Sequence, residues 1–245
     1  MTNEQSFAAQ HGVLNYIHAN AYVRPHNQPV HTAPTLDAMG PLTIAISRQA
    51  GIDAGAYARA IGDLLGWQIW DHELLELIAT QLGSNVRELE TLDERHISWI
   101  QESMEAFLYW HTTNQHTYVR HLREAMNELA TLGNCVIVGR GAPHVLPPKT
   151  PLKVRLVAPL ELRVAAFQRQ MGITDAGQAA RELEKLDRER IRFVKDHFHK
   201  DSVDPAGYDV VLNVAHISHA DCARLVLDFL QAIEHPQVAR CVPAR

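Results

Sequence analysis

Cysteine is scarce in this chain: Cys135, Cys222 and Cys241 are an odd set of three in 245 residues, none in a C-x-x-C pair. Such a set speaks against a disulfide scaffold. Near the start, no basic segment, apolar run and small-residue cleavage site combine, so a reducing cytoplasm is the expected setting. The longest apolar runs fall well short of the roughly 20 residues that span a bilayer, and no membrane is expected. Long runs of like charge are missing too, and the formal net charge is −5. Nucleic acid polymers are therefore not expected partners. The 15 histidines include His197-x-His199 and His216-x-x-His219, but matching Cys, His or acidic partners at zinc spacings are lacking, which favours solvated or core histidines over a metal site. No internal repeat or low-complexity tract stands out.

What is present is enough apolar side chain, 46%, for one substantial core with room for an insertion. Residues 1–40 mix Asn, Gln, His and Pro and read as a flexible extension, with at most a short helix around Phe7–Ile17. "LTIAIS" (Leu42–Ser47), "WQIW" (Trp67–Trp70), "NCVIVG" (Asn134–Gly139), "KVRLVA" (Lys153–Ala158) and "YDVVLNV" (Tyr208–Val214) are short, continuously apolar runs of the kind strands show when both faces are covered. Helical patterns separate them, including Tyr57–Leu65 closed by Gly66. The expected fold is α/β, a three-layer parallel five-stranded sheet over residues 41–235. The helical stretch 72–132 is longer than a crossover needs and reads as a substrate-covering insertion. Residues 236–245 form a tail.

Three segments could carry chemistry. "ISRQAGIDAG" follows the first strand and opens a helix, where backbone N–H groups and the helix dipole suit a phosphate. Gly51 and Gly55 keep part of a phosphate-loop pattern, but the usual lysine and Ser/Thr are missing, and a plain helix-opening turn is the alternative. Asp53 would repel phosphate without an intervening cation, or serve as the helix N-cap. In "VIVGRGA" a strand ends in Gly-Arg-Gly and presents Arg140 at the carboxyl edge of the sheet, to grip phosphate or to pair with a local carboxylate. From Lys153 to Lys200, eleven Lys or Arg face seven Asp or Glu, +4 within a chain of −5. If 181–195 form one helix, Arg188, Arg192 and Lys195 share one face and Ile191, Val194 and Phe198 another. An ordinary charged helix, with Glu184 and Asp187 as i,i+4 partners, explains the same charges.

Together, "ISRQAG", "WDHELL", "VIVGRGA", "RLVAPLELR", "DRERIRFVKDHF" and "DPAGYDVVLNV" resemble, in order and separation, the cytidylate-kinase-like branch of the P-loop nucleoside monophosphate kinases over roughly residues 42–234. The resemblance implies a P-loop kinase-type sheet, an inserted helical acceptor-binding region, and a mobile arginine-bearing lid at 160–200. It implies ATP and Mg2+ as cofactors and a CMP-like nucleoside monophosphate as partner. Carried over by position, Ser47, Arg48, Gly51, Asp53 and Gly55 would meet ATP, and Asp71, Arg140, Arg163 and Arg169 would bind the acceptor. Arg188, Arg190 and Arg192 would close on the transferring phosphoryl group, and Asp53 or Asp71 would hold magnesium. The chain departs from the family where a loop lysine and an acidic strand-three residue are usual; those positions hold Ala54 and Val138. The kinase-like branch tends to keep Gly-Gly-Arg where Asp53, Ala54 and Gly55 stand. A nucleoside monophosphate kinase-like phosphotransferase, acting on a pyrimidine acceptor, is the expected function. A catalytically silent nucleotide sensor or interaction module is the alternative.

Overall fold

The computed structural model describes residues 42–71, 115–147 and 151–234. Five strands form one all-parallel sheet in the order β2-β3-β1-β4-β5: β1 Thr43–Arg48, β2 Gln68–Trp70, β3 Cys135–Val138, β4 Pro151–Val157 and β5 Val210–Asn213. All five apolar runs are strands. Among the described residues six α-helices accompany them: α1 Ala54–Leu65, α2 Gln115–Leu132, α3 Ala142–Val145, α4 Leu160–Met171, α5 Ala176–Phe198 and α6 His219–Glu234. The expected insertion falls within the described residues only as α2; the remainder of it, both chain ends, Cys241 and the short N-terminal helix lie outside them.

The inner strands are mostly apolar because helices cover both faces of the sheet. Alternate residues Ile44, Ile46, Val136, Val138, Val154 and Leu156 pack with Ala58 and Ile61 of α1 and Val226 and Leu230 of α6. From the opposite face, Ala45, Cys135 and Ile137 meet Leu122, Met126 and Leu129 of α2 and Val194 and Phe198 of α5. This is the helix–sheet–helix sandwich the strand pattern predicts. Cys135 and Cys222 are buried free thiols. Burial pushes them up to about 12 and about 11 respectively, which keeps them protonated. No helix among the described residues is long and apolar enough to cross a membrane.

A third, smaller core ties α4 and α5 to the loop after β1. Val164 and Phe167 of α4 and Ala179, Leu183 and Leu186 of α5 close around Ala50 in the loop after β1. The 23-residue α5 is capped by Asp175, whose carboxylate accepts from Gly177 N at 2.7 Å and Gln178 N at 3.2 Å.

Candidate functional site

Strand order reverses around β1, which lies between β3 and β4. Chains leave such a switch point in opposite directions and open a crevice at the carboxyl edge. There a cavity of about 220 Å3 is lined by four arginines, Arg48, Arg140, Arg155 and Arg190, together with Asp187 and Glu189.

The turn after β3 builds one wall. Gly139, Arg140 and Gly141 all have left-handed backbone, with φ of +78°, +52° and +74°. Gly139 N donates to Ile46 O at 2.8 Å, which fixes the turn to the end of β1. A Cβ on Gly139 would collide with the Arg48 guanidinium, and one on Gly141 with the Phe198 ring. Glycine thus lets Arg48 lie across the turn and α5 close on it. Arg140 has no such licence; a left-handed non-glycine residue costs on the order of 1–3 kcal/mol and is held by its surroundings.

These arginines crowd one another. Burial, then Arg48, and further Arg140, lower the Arg190 guanidinium to about 9, against opposing pulls from Asp187 and Asp71. Arg48 is lowered by burial first; Asp71 opposes this, Arg140 adds to it and Asp53 opposes it. Among the described residues, Arg190 Nη1 is buried with no hydrogen-bond partner. A guanidinium with a buried, unbonded nitrogen and two other cations acting on it favours an anion beside it.

The loop after β1 differs, because part of its donor set is spent on the protein. Gln49 N donates to Leu156 O (3.1 Å) and Ala54 N to Ile52 O (2.9 Å), while two carboxylates take Ala50 N (Asp187 Oδ1, 2.7 Å) and Ala56 N (Asp53 Oδ1, 3.0 Å). Arg163 then seals the loop: Nη1 donates to Asp187 Oδ2 at 2.8 Å and Ala50 O at 3.1 Å, and Nε to Ala158 O at 3.1 Å. A Cβ on Gly51 would stand 3.0 Å from Arg163 and 3.1 Å from Leu183. Ala54, at the family's lysine position, is buried in the core at 1% exposure. A lysine there would desolvate its charge.

At the far side of the cavity, Arg155 Nη1 donates to Tyr208 Oη at 3.0 Å and Ser47 Oγ at 3.3 Å. Tyr208 Oη donates to Ser202 O at 2.8 Å and meets His144 Nε2 at 3.0 Å. Burial, then Lys153, Arg155 and Lys200, push His144 down to about 4 despite Asp201, so its ring is neutral at pH 7.

Of the residues singled out in the sequence, Ser47, Arg48, Arg140 and Arg190 meet in the cavity. Gly51 is packed against Arg163 of α4 and Leu183 of α5, and Asp53 caps α1. Gly55 has both Asp53 Oδ1 and Asp71 Oδ2 beside it, at 3.4 and 3.7 Å from where a Cβ would stand, with Arg59 Nη1 at 3.3 Å. Arg163 is committed to Asp187 and two carbonyls, which makes it a fastener of the loop. Arg169 is exposed at the end of α4. Arg188 pairs with Glu184 and Arg192 with Asp196, their side chains 68% and 83% exposed, and neither lines the cavity. Asp187, expected as an i,i+4 surface partner, instead grips Ala50 and Arg163. The sequence reading does not single out Arg155, Tyr208 and His144; a second basic residue, after Lys153, within the apolar run of β4 is the signal for the first of them.

Magnesium commonly takes one or two protein carboxylates and completes its shell with phosphate and water. Asp53 and Asp71 match that donor set in kind, and among the described residues no cluster of three ligating side chains gathers anywhere. In the β1 loop, Gln49, Ala50, Ala54 and Ala56 N are already bonded within the protein, so those four amides are not donors to a triphosphate in this state.

This is an α/β protein of the P-loop kinase type. A model of the cytidylate kinase-like family matches residues 43–216, and the chain belongs to that family. Family and fold support kinase-type phosphotransfer and nucleotide binding as its general chemistry. No curated protein matches the chain. An uncharacterized protein from Eubacterium ventriosum shares the fold at 14% identity and a TM-score of 0.58, over 78% of this chain and 99% of that one. Shikimate kinase from Acinetobacter baumannii, in complex with shikimate, is similar at 15% identity and a TM-score of 0.46, over 79% of this chain and 95% of its own. That from Bacteroides thetaiotaomicron is 14% identical with a TM-score of 0.44, over 79% and 98%. The last two similarities are too loose to say anything about this chain's substrate.

Proposed function

We propose that the protein is a nucleoside monophosphate kinase-like phosphotransferase that moves the γ-phosphoryl group of ATP to a pyrimidine nucleoside monophosphate. The observation that carries this reading is the convergence of Arg48, Arg140 and Arg190 on one cavity, with a buried Arg190 nitrogen left without a protein partner. Phosphoryl transfer asks a protein mainly for positioning and for positive charge around the equatorial oxygens. In this reading Arg140 holds the acceptor phosphate from the β3 turn, and Arg48 and Arg190 face the charge that grows during transfer. Asp53 and Asp71 would hold magnesium, which when bound would neutralise donor phosphates. The β1 loop takes part only after Asp187 releases Ala50 N. Without a loop lysine, turnover is expected roughly 10²- to 10³-fold below that of a lysine-bearing loop.

A coupled assay over all nucleoside monophosphates, with ATP and magnesium, tests this. Turnover with a pyrimidine monophosphate is expected; a natively folded protein inactive on every acceptor overturns it. The bonds that hold Ala50 N on Asp187 and Ala56 N on Asp53 favour a second reading, a nucleotide-binding module without transfer. Calorimetric binding of CMP without turnover would select it.

A further inference from the structure

The acceptor-phosphate reading gives no task to the cationic end of the cavity built on β4. Val154 and Leu156 turn into the core, so Arg155 between them faces the other side of the sheet. Its Nη1 reaches only hydroxyl oxygens, on Tyr208 and Ser47, and no carboxylate among the described residues forms a salt bridge with it. A half-buried guanidinium with only neutral acceptors retains its attraction for an anion. Its orientation is set from behind. With the Tyr208 proton given to Ser202 O, the phenol oxygen is left to accept from Arg155 and from His144, whose Nε2 must then carry the ring hydrogen.

The four arginines come from different elements: Arg155 from β4, Arg48 from the end of β1, Arg140 from the turn after β3 and Arg190 from α5. Arg190 feels Arg48 and Arg140, whereas His144 feels Lys153, Arg155 and Lys200. Of the two acids lining the cavity, Asp187 is already bound to Arg163 and Ala50 N, leaving Glu189 against four guanidinium groups.

We propose that Arg155, held by Tyr208 and Ser47, is a second anion subsite, so that the preferred acceptor is a phosphomonoester carrying a second anionic group. One phosphate sits with Arg48, Arg140 and Arg190, and the other anion with Arg155. The inference rests on the cavity being the acceptor site.

Calorimetric titration with CMP and with cytidine 3′,5′-bisphosphate tests it, on the wild type and on Arg155→Gln, Tyr208→Phe and Arg140→Gln, each first checked for a native circular dichroism spectrum. The wild type is expected to bind the bisphosphate at least about tenfold more tightly than CMP. Arg155→Gln should bring the two ligands within about threefold of each other while leaving CMP affinity in place, and Tyr208→Phe should erode the preference in part. Arg140→Gln should weaken both ligands. Equal wild-type affinities, no binding of either ligand, or an Arg155→Gln variant that weakens both alike would overturn the subsite. A preserved bisphosphate preference without turnover on any acceptor would instead remove the kinase reading and leave the subsite standing.

Discussion

The loop after β1 and the turn after β3 leave the same sheet edge from paired strands, yet they meet their surroundings in opposite ways. In the first, backbone donors are consumed by Leu156 O, Asp187 and Asp53, and Arg163 lies across the top. In the second, left-handed glycines clear the space in which Arg48 lies across Gly139 and Arg140 lines the cavity. The contrast shows that a strand-end position at a switch point offers only the opportunity for an anion site. Here the side chains make the difference: Arg163 is spent on Asp187 and two carbonyls over the first loop, whereas Arg48 and Arg140 line an open cavity at the second.

The largest effect is expected where the β3 turn is locked. Gly141→Ala would force a Cβ into Phe198 on a backbone with φ of +74°, and should cost about 2–4 kcal/mol of stability in urea denaturation. A near-neutral result would mean the turn is free to move. Asp187→Asn should cost about 1–3 kcal/mol, less than a fully buried pair because both side chains keep some solvent contact. By loosening Ala50 N it should also raise ATP affinity, making the first loop more like the second; unchanged ATP affinity would show the loop to be remodelled rather than latched. Arg140→Gly should weaken CMP binding about 10- to 100-fold. It should also gain about 1 kcal/mol of stability by placing glycine in a left-handed position. Unaltered affinity would remove Arg140 from the site.

The smallest effect is in pH dependence. His144 has an ordinary value of 6.5, lowered to about 4 in the fold. Between those values the unfolded chain binds the extra proton, so the contribution to stability is complete above about pH 6.5 and is lost as pH falls toward 4. Urea midpoints for wild type and His144→Gln should therefore converge as the pH is lowered from 7.5 to 4.5. Parallel curves would show that the ring is not held neutral by its surroundings.

The sheet was legible because covered parallel strands must be apolar on both faces, and the runs around Ile44, Ile69, Val136, Val154 and Val211 had no other use. Strand ends differ by a few residues: "YDVVLNV" becomes a strand only from Val210, after Tyr208 turns its hydroxyl toward Ser202. Arg140 could be read because Gly-Arg-Gly after a strand marks both a place and a turn. The α5 arginines could not be sorted by helical face alone. Arg188 and Arg192 share the solvent side, and Arg190, off that stripe, is the one turned to the cavity. Which face of α5 turns inward depends on Val194 and Phe198 meeting α2 and the sheet, contacts distant in sequence. The sealing of the first loop was equally hidden, because it needs Asp187 and Arg163 to arrive from two different helices.

The central contrast is tested most directly by nitrogen–proton NMR during titration with CMP. The arginine Nε–H signals of Arg140 and Arg190 are predicted to shift saturably while the amide of Ala50 stays in place. A saturable shift of the Ala50 and Gly51 amides, with both arginine signals unmoved, would contradict it.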